Sequence, residues 1–166
     1  MPPQFSWKNN KRLRQVILKI RNKKFEIEFI GDTQLKKFLR DSKDRLKKLS
    51  EYFQILHQND DQTMITIKIV SNEEIKILNK EFRKKNKVTD VLSFPDEHAS
   101  GDIAIADSYI LNKNKSINAQ NFFMLVGHGL LHLFGYTHYD KQSRSNMRFL
   151  ENTFMLMLGL KKVHED

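Results

Sequence analysis

The chain has 166 residues, no cysteine and a net charge of +9. That length suits one domain with its own core, and the lack of cysteine excludes disulfide staples and thiolate metal sites, leaving nitrogen and oxygen as metal donors. No stretch approaches the roughly 20 apolar residues that span a bilayer, and the N-terminus lacks the apolar run of a secretory signal.

The charge is unevenly placed. Residues 1–49 hold 15 Lys/Arg against 5 Asp/Glu, so the excess sits in a basic N-terminal part, residues 1–59. Such a region attracts polyanions and releases counterions on binding; a solvated basic surface has the same composition. Lys8, Lys11, Arg12, Arg14 and Lys19, with no acid before Glu26, keep organelle targeting open as a minor alternative. Ser6 as the one hydroxyl residue there, and strand-like alternation over residues 16–20, speak against it.

In chain order, residues 15–20 and 25–30 read as strands joined through Arg21-Asn22-Lys23-Lys24. From 34 to 56, Leu35, Phe38, Leu39, Leu46, Leu49, Phe53 and Leu56 recur at helical spacing with lysines and arginines between them, predicting one amphipathic helix. Asn59-Asp60-Asp61 is a loop. Ile65, Ile67 and Ile69 alternate with polar residues over 64–70, a strand. Ser71 with Glu74 forms a capping-box pattern for a helix using Ile75, Leu78 and Phe82. Residues 86–95 read as an extended loop, because the residue before Pro95 avoids the helical region. Residues 103–106 are a short strand. Residues 119–134 form an apolar helix ended by Gly135, and 144–158 a helix stopped at Gly159. Alternating strands and helices of this kind predict an α+β fold, a small mixed β-sheet covered by helices. Phe122, Phe123, Phe149 and Phe154 are expected in the core.

The chemistry concentrates in Gly127-His128-Gly129-Leu130-Leu131-His132-Leu133-Phe134-Gly135-Tyr136-Thr137-His138. His128 and His132 lie four apart and project from one helix face. Gly135 lets the chain turn back, and His138 comes from the following loop. Three imidazoles with a fourth position open for water are the layout of a catalytic zinc ion. Nickel, copper or iron suit the same donors. Zinc proteases use this histidine spacing with a glutamate after the first histidine as general base; here that position is Gly129, which disfavours a zinc peptidase-like hydrolase. A phosphodiester of RNA need not be cleaved that way, since RNA carries its own 2′-hydroxyl nucleophile; that hydroxyl and zinc-bound water both stay open as the attacking group. Arg83, Lys84, Lys85 and Lys87 form a candidate path for phosphates, or a solvated helix end. Asp90 and Asp102 are expected to cap backbone groups. His57, His98 and His164 are read as incidental.

The segment from His128 to His138 resembles the signature of the YbeY family of bacterial rRNA-maturation endoribonucleases. A second block, Thr89-Asp90-Val91-Leu92-Ser93-Phe94-Pro95 followed by Gly101-Asp102-Ile103, matches as well, as do Met147, Glu151 and Leu158-Gly159. The resemblance is strongest over residues 60–160 and implies a cytoplasmic bacterial enzyme: a zinc-dependent endoribonuclease selective for single strands. It also implies a role in 16S rRNA 3′-end maturation and ribosome quality control, with rRNA and the ribosome or its proteins as partners. It makes His128, His132 and His138 the ligands of one zinc ion, with His128, His132 and Lys68 as catalytic positions. Lys68, Arg83, Lys84 and Ser93 are then the substrate-binding candidates. Lys68 stands where the family usually has an arginine, keeping the charge without the bidentate fork. Thr137 replaces an acid beside the third ligand, and Met124 a further histidine. A non-catalytic RNA- or ribosome-binding module with a structural metal remains the alternative from a different class.

Overall fold

The computed structural model describes residues 15–58 and 60–165; the basic segment 1–14, on which the targeting alternative rests, lies outside them, as does Asn59. The strands are β1 (Val16–Arg21), β2 (Phe25–Ile30), β3 (Thr63–Val70), β4 (Val91–Pro95) and β5 (Gly101–Ala106), and they form one sheet in the order β1-β2-β3-β5-β4. The β2–β3 and β3–β5 pairs are parallel, and the outer pairs β1–β2 and β4–β5 antiparallel. The helices are α1 (Thr33–Asp41), α2 (Lys43–Leu56), α3 (Asn72–Arg83), α4 (Asp107–Ile110), α5 (Ala119–Leu133) and α6 (Lys141–Met157). Among the described residues, no helix is long and apolar enough to cross a membrane.

The alternation of side chains along each strand sorts the core into two clusters. Ile65, Ile67, Ile103 and Ile105 join Phe122, Val126 and Leu130 of α5, Phe53 of α2 and Phe154 of α6. The opposite parity, Val70, Ala104 and Ala106, joins Leu92 of β4 and Ile75 and Leu78 of α3. α5 is buried at most of its positions, as expected of a helix that is apolar on nearly every side. It lies against β4 and β5 and against α6. That burial holds the helix bearing His128 and His132 on a rigid support.

Four local readings change. The single helix over 34–56 is two helices, broken at Ser42. The apolar spacing runs on through the break, because Leu39 and Leu46 both reach the core, so periodicity alone conceals it. The extended loop over 86–95 ends in a true strand, β4, whose pairing with β5 is a tertiary event; Pro95 sits at its end on the sheet edge, where a missing donor is tolerated. α6 begins at Lys141, earlier than predicted, because Asp140 and Ser143 form a reciprocal capping box. Phe149 is 69% exposed; Met147, Glu151 and Phe154 occupy the inward face of α6 and leave Phe149 outside it.

Phe154 is 1% exposed and stacks edge-on against Phe53 at 5.2 Å. Phe154→Ala is expected to lower stability by about 3–5 kcal/mol, read as a shift in urea midpoint with an unchanged denaturant slope.

Candidate metal centre

α5 ends in a turn that places all three histidines. The Tyr136 N–H donates to Leu131 O at 3.0 Å and the Gly135 N–H to His132 O at 3.1 Å, the paired bonds of a Schellman closure. Gly135 has φ +92, a left-handed conformation that costs other residues about 1–2 kcal/mol. The reversal carries Thr137 and His138 back over the helix face that presents His128 and His132. Nitrogen atoms of the three imidazoles then lie within 4.8 Å of one another. His98 is not part of this group.

The proton of each helical imidazole is assigned by its partner. His128 Nδ1 lies 2.6 Å from Glu151 Oε1 of α6, and His132 Nδ1 lies 3.0 Å from the Tyr136 carbonyl oxygen. Both partners are acceptors, so both Nδ1 atoms carry the hydrogen. The two Nε2 atoms point away from those partners and face each other at 3.0 Å, close enough to share one proton or to bind one cation between them. A tetrahedral ion about 2.0–2.1 Å from each ligand holds two nitrogens about 3.3 Å apart, so the pair needs to part by only a few tenths of an ångström. His138, exposed on its loop, closes the remaining distance. The donor set therefore fits one divalent transition metal.

Electrostatics keep the ligands ready. Burial, then the neighbouring His128 and His138, push the His132 imidazole down to about 4, so it is neutral at physiological pH. Burial pushes the Glu151 carboxyl up, and hydrogen bonds from His128 and His164 outweigh it, leaving the group below its ordinary value. His164 Nε2 meets the second oxygen, Glu151 Oε2, at 2.5 Å. The tail that carries His164 is clamped by Asn152, whose Oδ1 accepts from the Val163 and His164 N–H groups. Glu151 is thus gripped from both sides. The sequence marks it as an acid on the inward face of an amphipathic helix, four residues after buried Met147; His164, read as incidental, carries no local signal.

The remaining predicted residues divide. A cleft of about 600 Å³ in front of the histidines is lined by Arg83, Lys85, Lys87 and Ser93, with His128, His132 and His138 at its end. Arg83 donates to the Ser93 carbonyl oxygen at 2.8 Å, which fixes its guanidinium at the wall. The Ser93 hydroxyl itself is turned to Gly129 O at 3.4 Å, tying β4 to α5. Lys84 does not line this cleft; its ammonium returns to Glu81 O. Lys68 is not brought there either. It lines a separate cavity beside Asp32 and Asp107, with Nζ 2.7 Å from Glu74 Oε1. Glu74 N–H donates to Ser71 Oγ as the capping pattern predicts, while its carboxylate is turned to Lys68. Asp90 accepts from the Val91 N–H, as expected of a capping acid. A Cβ on Gly129 would come within 2.9 Å of Ile103, so the position of a peptidase base faces the sheet and has no room for a carboxylate.

Comparison with known proteins gives a concordant result. Residues 19–159 match the family model described as Endoribonuclease YbeY. A protein named Endoribonuclease YbeY from Buchnera aphidicola subsp. Acyrthosiphon pisum is 39% identical over 121 residues, 66% of this chain and 77% of that one. A protein of the same name from Francisella tularensis subsp. holarctica is 41% identical over 113 residues, 58% of this chain and 68% of its own length. The solution structure of a Thermotoga maritima protein superposes with a TM-score of 0.56 at 25% identity, covering 80% of this chain and 88% of that one.

Two outcomes follow for the centre. Glu151→Gln is expected to weaken metal binding about 10–100-fold, measured by competition with a chromogenic chelator, while the circular dichroism spectrum is retained. The metal-free chain is expected to lose stability as pH falls. Unfolded His132 takes up a proton near its ordinary 6.5, whereas the folded residue resists until about 4, so stability drops across that window. Glu151, depressed in the fold, adds stability above its ordinary 4.5 that is lost as pH falls through its lowered value. Both act in one direction, and urea midpoints taken from pH 7 down to 4 check the sign: a flat profile would contradict the buried neutral imidazole.

Proposed function

This chain belongs to the YbeY family of endoribonucleases, and from that premise we propose that its three-histidine centre binds one zinc ion and cuts single-stranded RNA in the maturation of the 16S rRNA 3′ end. The chain is an endoribonuclease, a hydrolase of RNA phosphodiester bonds. Zinc, the rRNA site, a part in ribosome quality control, contact with the ribosome or its proteins, and a bacterial cytoplasmic setting are our reading, as is a single domain spanning residues 1–166. The observation that supports the zinc assignment is the convergence of three imidazoles, with two Nε2 atoms facing each other, since neutral imidazole suits that ion.

When bound, the ion supplies Lewis-acid polarisation of a phosphoryl oxygen. The chain's own residues do the rest. His128, His132 and His138 would hold the ion, and three protein ligands would leave room for substrate. Glu151 retains the Nδ1 proton of His128 and makes that imidazole a better donor. Arg83, Lys85 and Lys87 line the approach and meet the phosphates of an entering strand. Lys68 and Lys84 lie outside this cleft, and Ser93 acts by fastening β4 to α5.

His128→Ala and His132→Ala are each expected to abolish zinc retention and RNA cleavage together. The check is metal analysis of the purified chain alongside cleavage of a labelled single-stranded RNA, with chelator and zinc add-back. Full cleavage by the metal-free double variant would refute the proposal. RNA that binds with steep salt dependence but is never cut under any metal would establish a non-catalytic binding module instead.

A further inference from the structure

A second cavity meets the same histidines from the side of α6. It encloses about 300 Å³ and shares His128 and His138 with the front cleft, so the two spaces adjoin at the metal ligands. Its floor is apolar, formed by Met124, Leu125, Met147 and Val163. Methionine adapts readily to flat or irregular partners. Its rim carries Arg144 and Arg148, which stand four apart on α6 and therefore on one face. Both are exposed, and neither has an ion-pair partner among the described residues. Two acids also line this cavity: Asp90, held by the Val91 N–H at 2.8 Å, and Glu151, engaged by His128 and His164.

An endonuclease must hold its strand on both sides of the bond it breaks. The front cleft, with Arg83, Lys85 and Lys87, serves one side. We propose that the α6 cavity is a subsite for one nucleotide of single-stranded RNA on the other side of the scissile phosphate. The base lies against Met124, Leu125 and Met147, and a phosphate is gripped by Arg144 and Arg148. The volume stands at the lower end of small-molecule pockets, roughly 300–1,000 Å³, which suits a single nucleotide and excludes a base pair. The strand then crosses the histidine centre from one basic rim to the other. This assignment rests on the endoribonuclease reading for its substrate class.

The test measures binding of a labelled single-stranded RNA oligomer to the full chain in chelator, across a salt series, by fluorescence anisotropy. Replacing both arginines, Arg144→Ala with Arg148→Ala, is expected to weaken binding about tenfold. It should also reduce the slope of log affinity against log salt by about 0.7–1.4, the loss of one or two phosphate contacts on a single strand. A charge-matched control on exposed α3 positions, Lys76→Ala with Lys80→Ala, keeps the wild-type slope. Met124→Trp, which fills the cavity without altering charge, weakens binding while leaving the slope unchanged. In zinc-loaded turnover the arginine variant raises KM with kcat within twofold and with unchanged metal content. Wild-type affinity and slope in the arginine variant, or no RNA binding by the wild-type chain, would overturn the subsite. If the slope difference persists but the zinc-loaded chain cuts no RNA, the cavity stands as an RNA-binding site, while its place beside a scissile phosphate and the zinc-nuclease reading both fall.

Discussion

Everything at this site depends on where two imidazole protons reside. Glu151 and the Tyr136 carbonyl oxygen each accept from a histidine Nδ1, and that choice directs both Nε2 lone pairs into the same small space. If either partner were a donor, the tautomer would invert and a proton would occupy the ligand position. The candidate metal centre is therefore defined as much by a carboxylate on α6 and a carbonyl in a turn as by the histidines. Glu151 is 7% exposed and would be costly there alone; imidazoles on both oxygens offset the desolvation.

The fold serves this arrangement by making its supports stiff. α5 is wedged between the sheet and α6, with Gly127 and Gly129 allowing close approach on both sides: an added Cβ would come within 2.5 Å of Phe154 and 2.9 Å of Ile103 respectively. Ser93 pins the edge strand β4 to α5, and Tyr52 pins α2 to α6 through the Leu150 carbonyl oxygen at 2.9 Å. These links place the basic end of α3, the edge of the sheet and the histidine helix around one cleft. On the proposed function, binding of a charged strand would draw on cations already positioned at the cleft wall, so less ordering entropy would oppose it.

Much of this is legible in the residues. The three histidines, the glycine that reverses the chain and the mixed α+β layering follow from spacing and periodicity, because those features are local. What escapes is what tertiary contact creates. β4 becomes a strand only by pairing with β5, and the break at Ser42 hides inside an unbroken apolar rhythm. The roles of Glu151 and His164 arise from helices and a tail that meet across 13 to 23 residues of chain, the separations of Glu151 from His164 and from His128. Lys68 shows the converse: its sequence neighbourhood resembles a functional position, yet its side chain turns to Glu74 in a different cavity.

Zinc K-edge X-ray absorption on the reconstituted full chain measures coordination by the three histidines most directly. The account predicts three imidazole nitrogens at about 2.0–2.1 Å with one further light-atom ligand from solvent. A sample that retains no stoichiometric metal, or a first shell with one imidazole or none, would contradict it.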